Sequence, residues 1–294
     1  MHLWGYDGHL SPQARIVAVA SRHYDTTPIY GSFLVFSDNE RHDLMMAATE
    51  IADRAGEVIL EVYETDFDVR HKGDNSPVTE ADERAEALIL PALRKLLPGI
   101  PAIGEEAVSQ GNADTVAGDV FWLVDPVDGT KEFLRRSGEF TVNIALVEHT
   151  VPVLGVVTAP ALKRGFRACG IGTAELREGT GNDWQPIVVR AIPADGAIVA
   201  SSRSYGDRAK IEELLAGMSI RDHITAGSSL KFCLLAEGAA DVYPRYGPTS
   251  DWDTAAGHAV LAGAGGSVRK FDETELEYGK AGWRNPEFIA RGEQ

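Results

Sequence analysis

The chain has only two cysteines among its 294 residues, and it contains no apolar run of the roughly 18 residues that a membrane-spanning helix needs. Cys169 and Cys233 lie in apolar segments, which is typical of buried free thiols in a reducing compartment rather than of a disulfide. No spacing of cysteine and histidine suits a zinc site. The sequence therefore predicts a cytoplasmic protein with no more than a peripheral association with a membrane.

Positive charge is also scarce, because 28 lysines and arginines face 44 aspartates and glutamates and leave a net charge of −16. This balance excludes the broad basic surface that nucleic acids or anionic membranes require. An anionic ligand must therefore be small and must meet positive charge locally. The first residues lack a basic segment followed by an apolar core, so we expect no secretory signal.

The spacing of apolar residues divides the chain into a first part with helices followed by strands and a later part in which strands and helices alternate. Helical periodicity predicts amphipathic helices over 40–63 and 80–97, with Pro91 expected to kink or interrupt the second, and a loop or loose hairpin over 66–77 between them. Short β-branched runs then predict strands over 100–104, 120–124, 140–148, 151–158, 166–169 and 187–189. Later strands are predicted over 198–200, 223–226 and 240–243, alternating with helices over 207–216, 228–237 and 254–264.

These two patterns of predicted elements indicate an α/β protein of two lobes, in which helices cover the sheets. Residues 39–190 would form an α+β lobe, and residues 191–294 would form an α/β lobe. Residues 1–38 show no sustained period, and we expect them to be a loosely ordered N-terminal extension.

The segment W-L-V-D-P-V-D-G-T places Asp125 and Asp128 at the end of an apolar run, directly before Gly129 and Thr130. Carboxylates bind hard cations such as Mg²⁺, and the free N–H groups of a new helix bind anions. Further acidic residues lie at the ends of other elements: Asp82, Glu105, Glu106, Asp251 and Asp253. Two carboxylates about 4 Å apart repel by about 4 kcal/mol at an effective dielectric near 20, so gathering several needs a cation.

Each acidic residue alone also has a structural interpretation. Asp82 fits a capping box with Thr79, and Asp128-Gly129 is an ordinary turn dipeptide. Asp253 would complement a helix dipole, and the two adjacent glutamates would form a solvated pair. The residue types alone leave these alternatives open.

The order of the motifs is more informative than any one of them. P-V-T-E-A-D over 77–82, G-E-E over 104–106, D-P-V-D-G-T over 125–130 and W-D over 252–253 follow one another. In this order the chain resembles, from about residue 41 to 290, the inositol monophosphatase superfamily of Mg²⁺-dependent, lithium-sensitive phosphatases. The resemblance implies a layered αβαβα sandwich with the site in a cleft between the lobes.

Within that superfamily, segments 138–146, 227–233, 243–245 and 251–258 are most similar to the bacterial 3′(2′),5′-bisphosphate nucleotidases of sulfate assimilation. This resemblance implies removal of the 3′-phosphate of adenosine 3′,5′-bisphosphate, or of 3′-phosphoadenylyl sulfate. The alternatives are an inositol-1-phosphate or sugar-phosphate phosphatase and, in another class, a non-catalytic protein that binds metal or nucleotide. The expected partner is a small phosphorylated nucleotide, and the sequence gives no oligomeric state.

The resemblance also implies two or three Mg²⁺ ions held by oxygen ligands only. Asp125 would bridge the first two ions, and Asp82 with Glu105 would complete a weaker third position. The implied metal ligands are Asp82, Glu105, Asp125, the carbonyl of Val127, Asp128 and Asp253.

Asp82 and Thr130 would be the catalytic pair that orients and deprotonates the attacking water. The N–H groups of Gly129 and Thr130 would bind the scissile phosphate. The implied substrate contacts are Glu105, Val127, Asp128, Gly129, Thr130, Ser228, Lys231, Arg245 and Asp253.

Three residues carry open questions. Lys231 could instead be a surface lysine on its helix. Tyr205 stands where relatives often have a histidine that contacts the ligand. His258 has apolar neighbours, and we expect it to pack within its helix.

Overall fold

A computed structural model describes residues 35–66, 69–71, 77–116, 118–202 and 208–292. The predicted extension over 1–38 therefore lies almost wholly outside the described residues. Two of its last residues contact the rest of the protein: Phe36 is only 1% exposed, and the N–H of Val35 donates to the Glu148 carboxylate at 2.8 Å. The loosely ordered extension stays a prediction.

Two long helices form the first layer of the fold. Helix α1 spans Asp38–Tyr63 and helix α2 spans Glu80–Leu96, and a capping box opens each of them. Between them, β1 (Val69–His71) pairs with β2 (Pro77–Thr79), which confirms the loose hairpin. Pro91 does not interrupt α2. The residue is exposed on the solvent side, where water can bond the carbonyl that proline leaves without a donor.

Helices α1 and α2 pack on a seven-stranded sheet whose order follows the chain. Its first two strands are parallel and the others are antiparallel. The short helices α3 (Glu105–Ser109) and α4 (Thr130–Leu134) follow the first two strands. The strands are β3 (Ala102–Gly104), β4 (Val120–Asp128), β5 (Thr141–Glu148), β6 (Val151–Ala159), β7 (Arg164–Ala168), β8 (Glu175–Glu178) and β9 (Trp184–Pro186).

The strand predicted over 187–189 is wrong, since β8 and β9 complete the sheet instead. Charged residues conceal β8 in the sequence. Within it, Arg177 forms two hydrogen bonds with Asp53 of α1, at 2.6 and 2.7 Å, and lies over the ring of Trp184. The ion pair of Arg177 with Asp53, rather than an apolar sequence pattern, allows this strand to lie in the protein interior.

A second, five-stranded sheet contains the C-terminal strands in the order β11, β10, β12, β14, β13. Strand β10 is parallel to β11 and β12, and the remaining pairs are antiparallel. The alternation of strands and helices predicted for this part is confirmed. The elements are β10 (Ala197–Ser201), α5 (Arg208–Leu214), β11 (Ile220–Thr225), α6 (Leu230–Ala236), β12 (Val242–Arg245), α7 (Asp251–Gly263), β13 (Ser267–Lys270) and β14 (Phe288–Arg291).

Five layers result, and they confirm the predicted αβαβα sandwich. Helices α6 and α7 lie between the two sheets, where Phe232 of α6 stacks on Phe288 of β14 with ring centroids 5.8 Å apart. Ile211 of α5 packs on the outer face of the small sheet.

Both cysteines are buried and free, and none of the described helices has the length and hydropathy of a membrane span. The division into lobes at residue 190 stays a prediction.

Helix α7 approaches the large sheet closely at Gly155 of β6. A Cβ atom at this position would lie 2.3 Å from the carbonyl oxygen of Ala256 and 2.8 Å from the Cβ of Ala259. Backbone cannot move aside as a flexible side chain can, so only glycine permits this contact. The contact matters for function because α7 begins with acidic residues of the predicted site.

We predict that Gly155→Ala lowers the free energy of unfolding by about 2–3 kcal/mol, because the added methyl group overpacks the interface between α7 and β6. Gly181→Ala is the matched control, since a Cβ there meets nothing within 4 Å. We expect the control to change stability by less than about 0.5 kcal/mol in urea denaturation. Equal stability of the two variants would contradict the close approach.

Candidate active site

The D-P-V-D segment forms an irregular end of β4. Asp125 pairs with Asn143 of β5, whereas Asp128 pairs with Thr141, so β4 uses one more residue than β5 over this interval. Such a bulge bends the strand and redirects its side chains. Asp125 is 1% exposed, and its Oδ1 accepts the N–H of Val127 at 3.0 Å. The local fold therefore fixes Asp125 before any ligand binds.

Gly129 joins this strand to α4 with a φ of 90°, a conformation that favours glycine. A Cβ on Gly129 would lie 3.1 Å from the Cβ of Ser228 and 3.2 Å from the carbonyl oxygen of Glu139. The glycine thus allows the loop before α6 to come close to the D-P-V-D-G-T motif. Two of the predicted substrate contacts, Gly129 and Ser228, become neighbours in this way.

Three predicted metal ligands converge in one place. Oxygen atoms of Glu105, Asp125 and Asp253 lie within 4.8 Å of one another, and no other such group of three or more occurs in the described chain. They come from the start of α3, from β4 and from the first turn of α7. Asp253 is also the third residue of a capping box, in which its Oδ2 accepts the N–H of Ser250 at 2.7 Å.

The electrostatics of the cluster fit a bound cation. Burial, together with the charges of Asp128 and Glu105, raises the pKa of Asp253 to about 8. Burial also raises the pKa of Asp128, and the charge of Lys231 opposes that effect. Carboxylates that resist ionisation in each other's presence are stabilised by a cation, and oxygen-only donors suit Mg²⁺. The residues present therefore fit a magnesium site.

Asp82 lies outside this trio. It is 2% exposed, and its Oδ2 accepts hydrogen bonds from the N–H of Thr79 at 2.8 Å and from the Thr79 hydroxyl at 2.7 Å. The capping box considered in the sequence is thus present. A catalytic role for Asp82 stays a prediction, because capping occupies one carboxylate oxygen and does not exclude it.

One turn after Asp82, Glu86 was not predicted from the sequence. Its two carboxylate oxygens accept the N–H groups of Glu106 and Ala107, at 2.9 and 2.8 Å, and so cap α3 directly beside Glu105. An acidic residue on the apolar side of a helix was the available signal. Glu106, the second of the paired glutamates, is 4% exposed, so the solvated-pair interpretation is wrong for it.

Thr130 and the carbonyl of Val127 are neighbours, because the Thr130 hydroxyl donates to that carbonyl at 3.3 Å. The carbonyl was predicted as a metal ligand and the hydroxyl as part of the catalytic pair. Both groups therefore lie on the turn that follows Asp125.

The predicted substrate residues Lys231 and Arg245 are held mainly by main-chain carbonyls. Lys231 is 3% exposed, so a surface position for it is wrong. Its Nζ donates to the carbonyls of Ala226, at 3.2 Å, and of Ser228. Burial lowers the pKa of Lys231 to about 8, and the charge of Asp128 opposes this. Arg245 donates to the carbonyl of Gly247 at 3.1 Å, within the loop that leads to α7.

The remaining sequence questions have mixed outcomes. Tyr205 lies outside the described residues. Asp251 is buried and paired with Lys280, which gives it a structural role at the start of α7. His258 packs within the interior as predicted, its Nδ1 lies 3.0 Å from the hydroxyl of Tyr278, and burial lowers its pKa to about 4.

Comparison with known proteins bears on most of the chain. The sequence pattern of the Inositol monophosphatase family matches residues 40–290. The chain belongs to this family. The predicted membership in the superfamily is confirmed, and so is the predicted phosphatase class of enzyme. Family members depend on metal ions, and the carboxylate trio is where one fits among the described residues.

Within the family, the chain is 46% identical over 237 residues to the 3′(2′),5′-bisphosphate nucleotidase CysQ of Escherichia coli O6:H1, covering 78% of the chain and 91% of that protein. It is 43% identical over 242 residues to CysQ of Shigella flexneri, with the same coverage of 78% and 91%. The crystal structure of CysQ from Bacteroides thetaiotaomicron matches with a TM-score of 0.71 at 37% identity, over 85% of the chain and 97% of that structure.

We predict that the rise in Tm produced by saturating Mg²⁺ grows with pH and levels off above about pH 8. The pKa of Asp253 is raised from 3.8 to about 8, so the metal-free folded state retains a proton that the unfolded state releases. Metal-free stability therefore falls as pH rises from about 4 to about 8, whereas Mg²⁺ must displace the proton at the acidic end. Differential scanning fluorimetry from about pH 5 to about pH 9 measures both trends.

Asp253→Asn is the control for this titration, because asparagine keeps the oxygen that caps α7 but cannot ionise. We expect a smaller and flatter magnesium shift in this variant. A magnesium shift in the native protein that is independent of pH would contradict the coupling between the proton and the cation.

Proposed function

We propose that the protein is a Mg²⁺-dependent 3′(2′),5′-bisphosphate nucleotidase that removes the 3′-phosphate of adenosine 3′,5′-bisphosphate. The observation that carries the proposal is the 46% identity to a CysQ nucleotidase, spread over 237 residues. The carboxylate trio supports the metal requirement. The two buried free thiols suit a reducing compartment, and the proposal includes a cytoplasmic location.

In the proposed reaction, water attacks phosphorus and the bond from phosphorus to the 3′ oxygen breaks. Bound Mg²⁺ ions would lower the pKa of the attacking water and neutralise charge on the phosphate. Glu105, Asp125 and Asp253 would hold them, together with Asp128 and the carbonyl of Val127. The 3′ oxygen leaves and takes up a proton from solvent water, so the products are AMP and inorganic phosphate.

The protein groups would orient the water and the phosphate. Asp82 accepts a proton from the attacking water, and the hydroxyl of Thr130 fixes the position of that water. Thr130 is itself fixed by the carbonyl of Val127. The N–H groups of Gly129 and Thr130 bind the phosphate oxygens at the turn that β4 makes into α4.

A bisphosphate also needs positive charge, because the net charge of −16 repels it. Lys231 and Arg245 supply two positive charges beside the loop that carries Ser228. Lys231 is buried, so it acts from beneath the loop through its charge. An inositol monophosphate or a sugar monophosphate has only one phosphate and uses less of this charge. This difference favours the nucleotide among the alternatives.

We expect kcat/KM for adenosine 3′,5′-bisphosphate to exceed that for inositol 1-phosphate by at least about tenfold, which is about 1.4 kcal/mol of discrimination. Phosphate release measured with and without Mg²⁺ on both substrates checks this. Equal values for the two substrates would refute the nucleotidase assignment.

The variant Asp128→Asn distinguishes an enzyme from a non-catalytic relative. In this variant turnover should disappear, while the Tm of the metal-free protein is retained.

We predict that Asp82→Asn lowers kcat by at least about a hundredfold, because the amide cannot accept a proton. The variant retains an oxygen that can cap α2 through Thr79, so we expect KM and Tm to change little. Glu40→Gln is the matched control, since Glu40 occupies the same position in the capping box of α1. Unchanged kcat in Asp82→Asn would restrict Asp82 to its capping role.

A further inference from the structure

Asp128 is held by two buried donors that reach the same oxygen. Its Oδ2 accepts the N–H of Ser229 at 2.6 Å and the Nδ2 of Asn143 at 3.3 Å. Asn143 lies in β5 of the large sheet, whereas Ser229 precedes α6, which packs between the sheets. Both residues are only 1% exposed. Two parts of the fold therefore fix one carboxylate oxygen of Asp128.

Asn143 is itself oriented by neighbouring hydroxyl groups. Its Oδ1 accepts the hydroxyl of Ser229 at 2.7 Å and the hydroxyl of Thr141 at 3.0 Å. The Thr141 hydroxyl also lies 2.7 Å from the hydroxyl of Ser228. An ionised carboxylate can only accept hydrogen bonds, so the amide nitrogen of Asn143 faces Asp128 and its amide oxygen accepts from the two hydroxyl groups. The network thus ends on the carboxylate with a fixed polarity.

A purely structural contact between β5 and the loop before α6 would not require this polarity. An apolar pair would join the same surfaces without the desolvation cost of buried amide and hydroxyl groups. What the amide of Asn143 adds is a donor on Asp128. It also links Asp128 to Ser228, which packs against Gly129 at the predicted phosphate site.

We propose that Asn143 is a positioning residue for Asp128, with Ser229 and Thr141 as the groups that orient its amide. Asn143 holds Oδ2 so that Oδ1 is presented to Mg²⁺, and it joins the loop of Ser228 to the same unit. The inference deepens the proposed function and rests on it for the identity of the metal.

The test measures binding of Mg²⁺ alone to the full chain, by titration calorimetry and by the magnesium-induced rise in Tm. We expect Asn143→Leu to weaken Mg²⁺ binding by about tenfold to a hundredfold, as is typical when a group behind a metal ligand is removed. Ser229→Ala removes only a hydroxyl and should weaken binding by about fivefold. If Asn143→Leu does not fold, the measurement on Ser229→Ala decides the test.

Thr49→Val is the matched control, because Thr49 is 4% exposed in α1 and its hydroxyl donates to the carbonyl of Met45 at 2.7 Å. This variant also loses one buried hydrogen bond, and it should bind Mg²⁺ with unchanged affinity. In the double variant Asn143→Leu/Ser229→Ala, binding should be no weaker than in Asn143→Leu, since the hydroxyl acts through the amide.

Unchanged Mg²⁺ affinity in both Asn143→Leu and Ser229→Ala would overturn the proposal. Equal weakening in Thr49→Val would overturn it as well, since it would show a general loss of stability. A native protein that binds Mg²⁺ but does not hydrolyse the bisphosphate would refute the proposed function alone, and the variants would still decide the role of Asn143.

Discussion

Repulsion among the carboxylates gathered at the candidate site is the constraint on which the rest of this structure depends. Asp125 and Asp253 meet Glu105 in one place, and the fold must hold them there at a cost. Two of these acids are anchored by their own element: Asp125 accepts the N–H of Val127 in the irregular end of β4, and Asp253 caps α7. Asp82 caps α2 in the same manner. Helix capping contributes about 0.5–2 kcal/mol per residue, so secondary structure stabilises the positions that repulsion opposes.

The two sheets contribute unequally to the site, and the loop before α6 brings residues from the two parts of the chain together. The large sheet carries Asp125 and Asp128, whereas the part of the chain after it carries Asp253, Ser228 and Lys231. Glycine at 129 permits the close approach of the loop, and the buried ammonium of Lys231 braces the loop from below. The positive charges of Lys231 and Arg245 therefore come from the part of the chain after the large sheet, whereas Asp125 and Asp128 come from the large sheet itself.

Helical periodicity predicted the long helices, and the order of the motifs drew attention to Glu105, Asp125 and Asp253, which the structure brings together, because periodicity and motifs are local properties of the sequence. The patterns failed where partners distant in the sequence decide the outcome. Strand β8 was missed because Arg177 is neutralised by Asp53, 124 positions away. Burial of Lys231 and the amide of Asn143 on Asp128 likewise depend on contacts that only the folded chain creates. A polar residue inside an apolar strand was the single local sign of Asn143.

The position of Asp253 in the first turn of α7 has a consequence for the life of the protein in a cell. Helix α7 lies between the two sheets, so a ligand that holds its first turn also holds the layers together. A cation that binds the folded state alone lowers the population of opened chains by mass action. Proteases act on those opened chains. The supply of the bound cation would therefore affect how long each molecule survives.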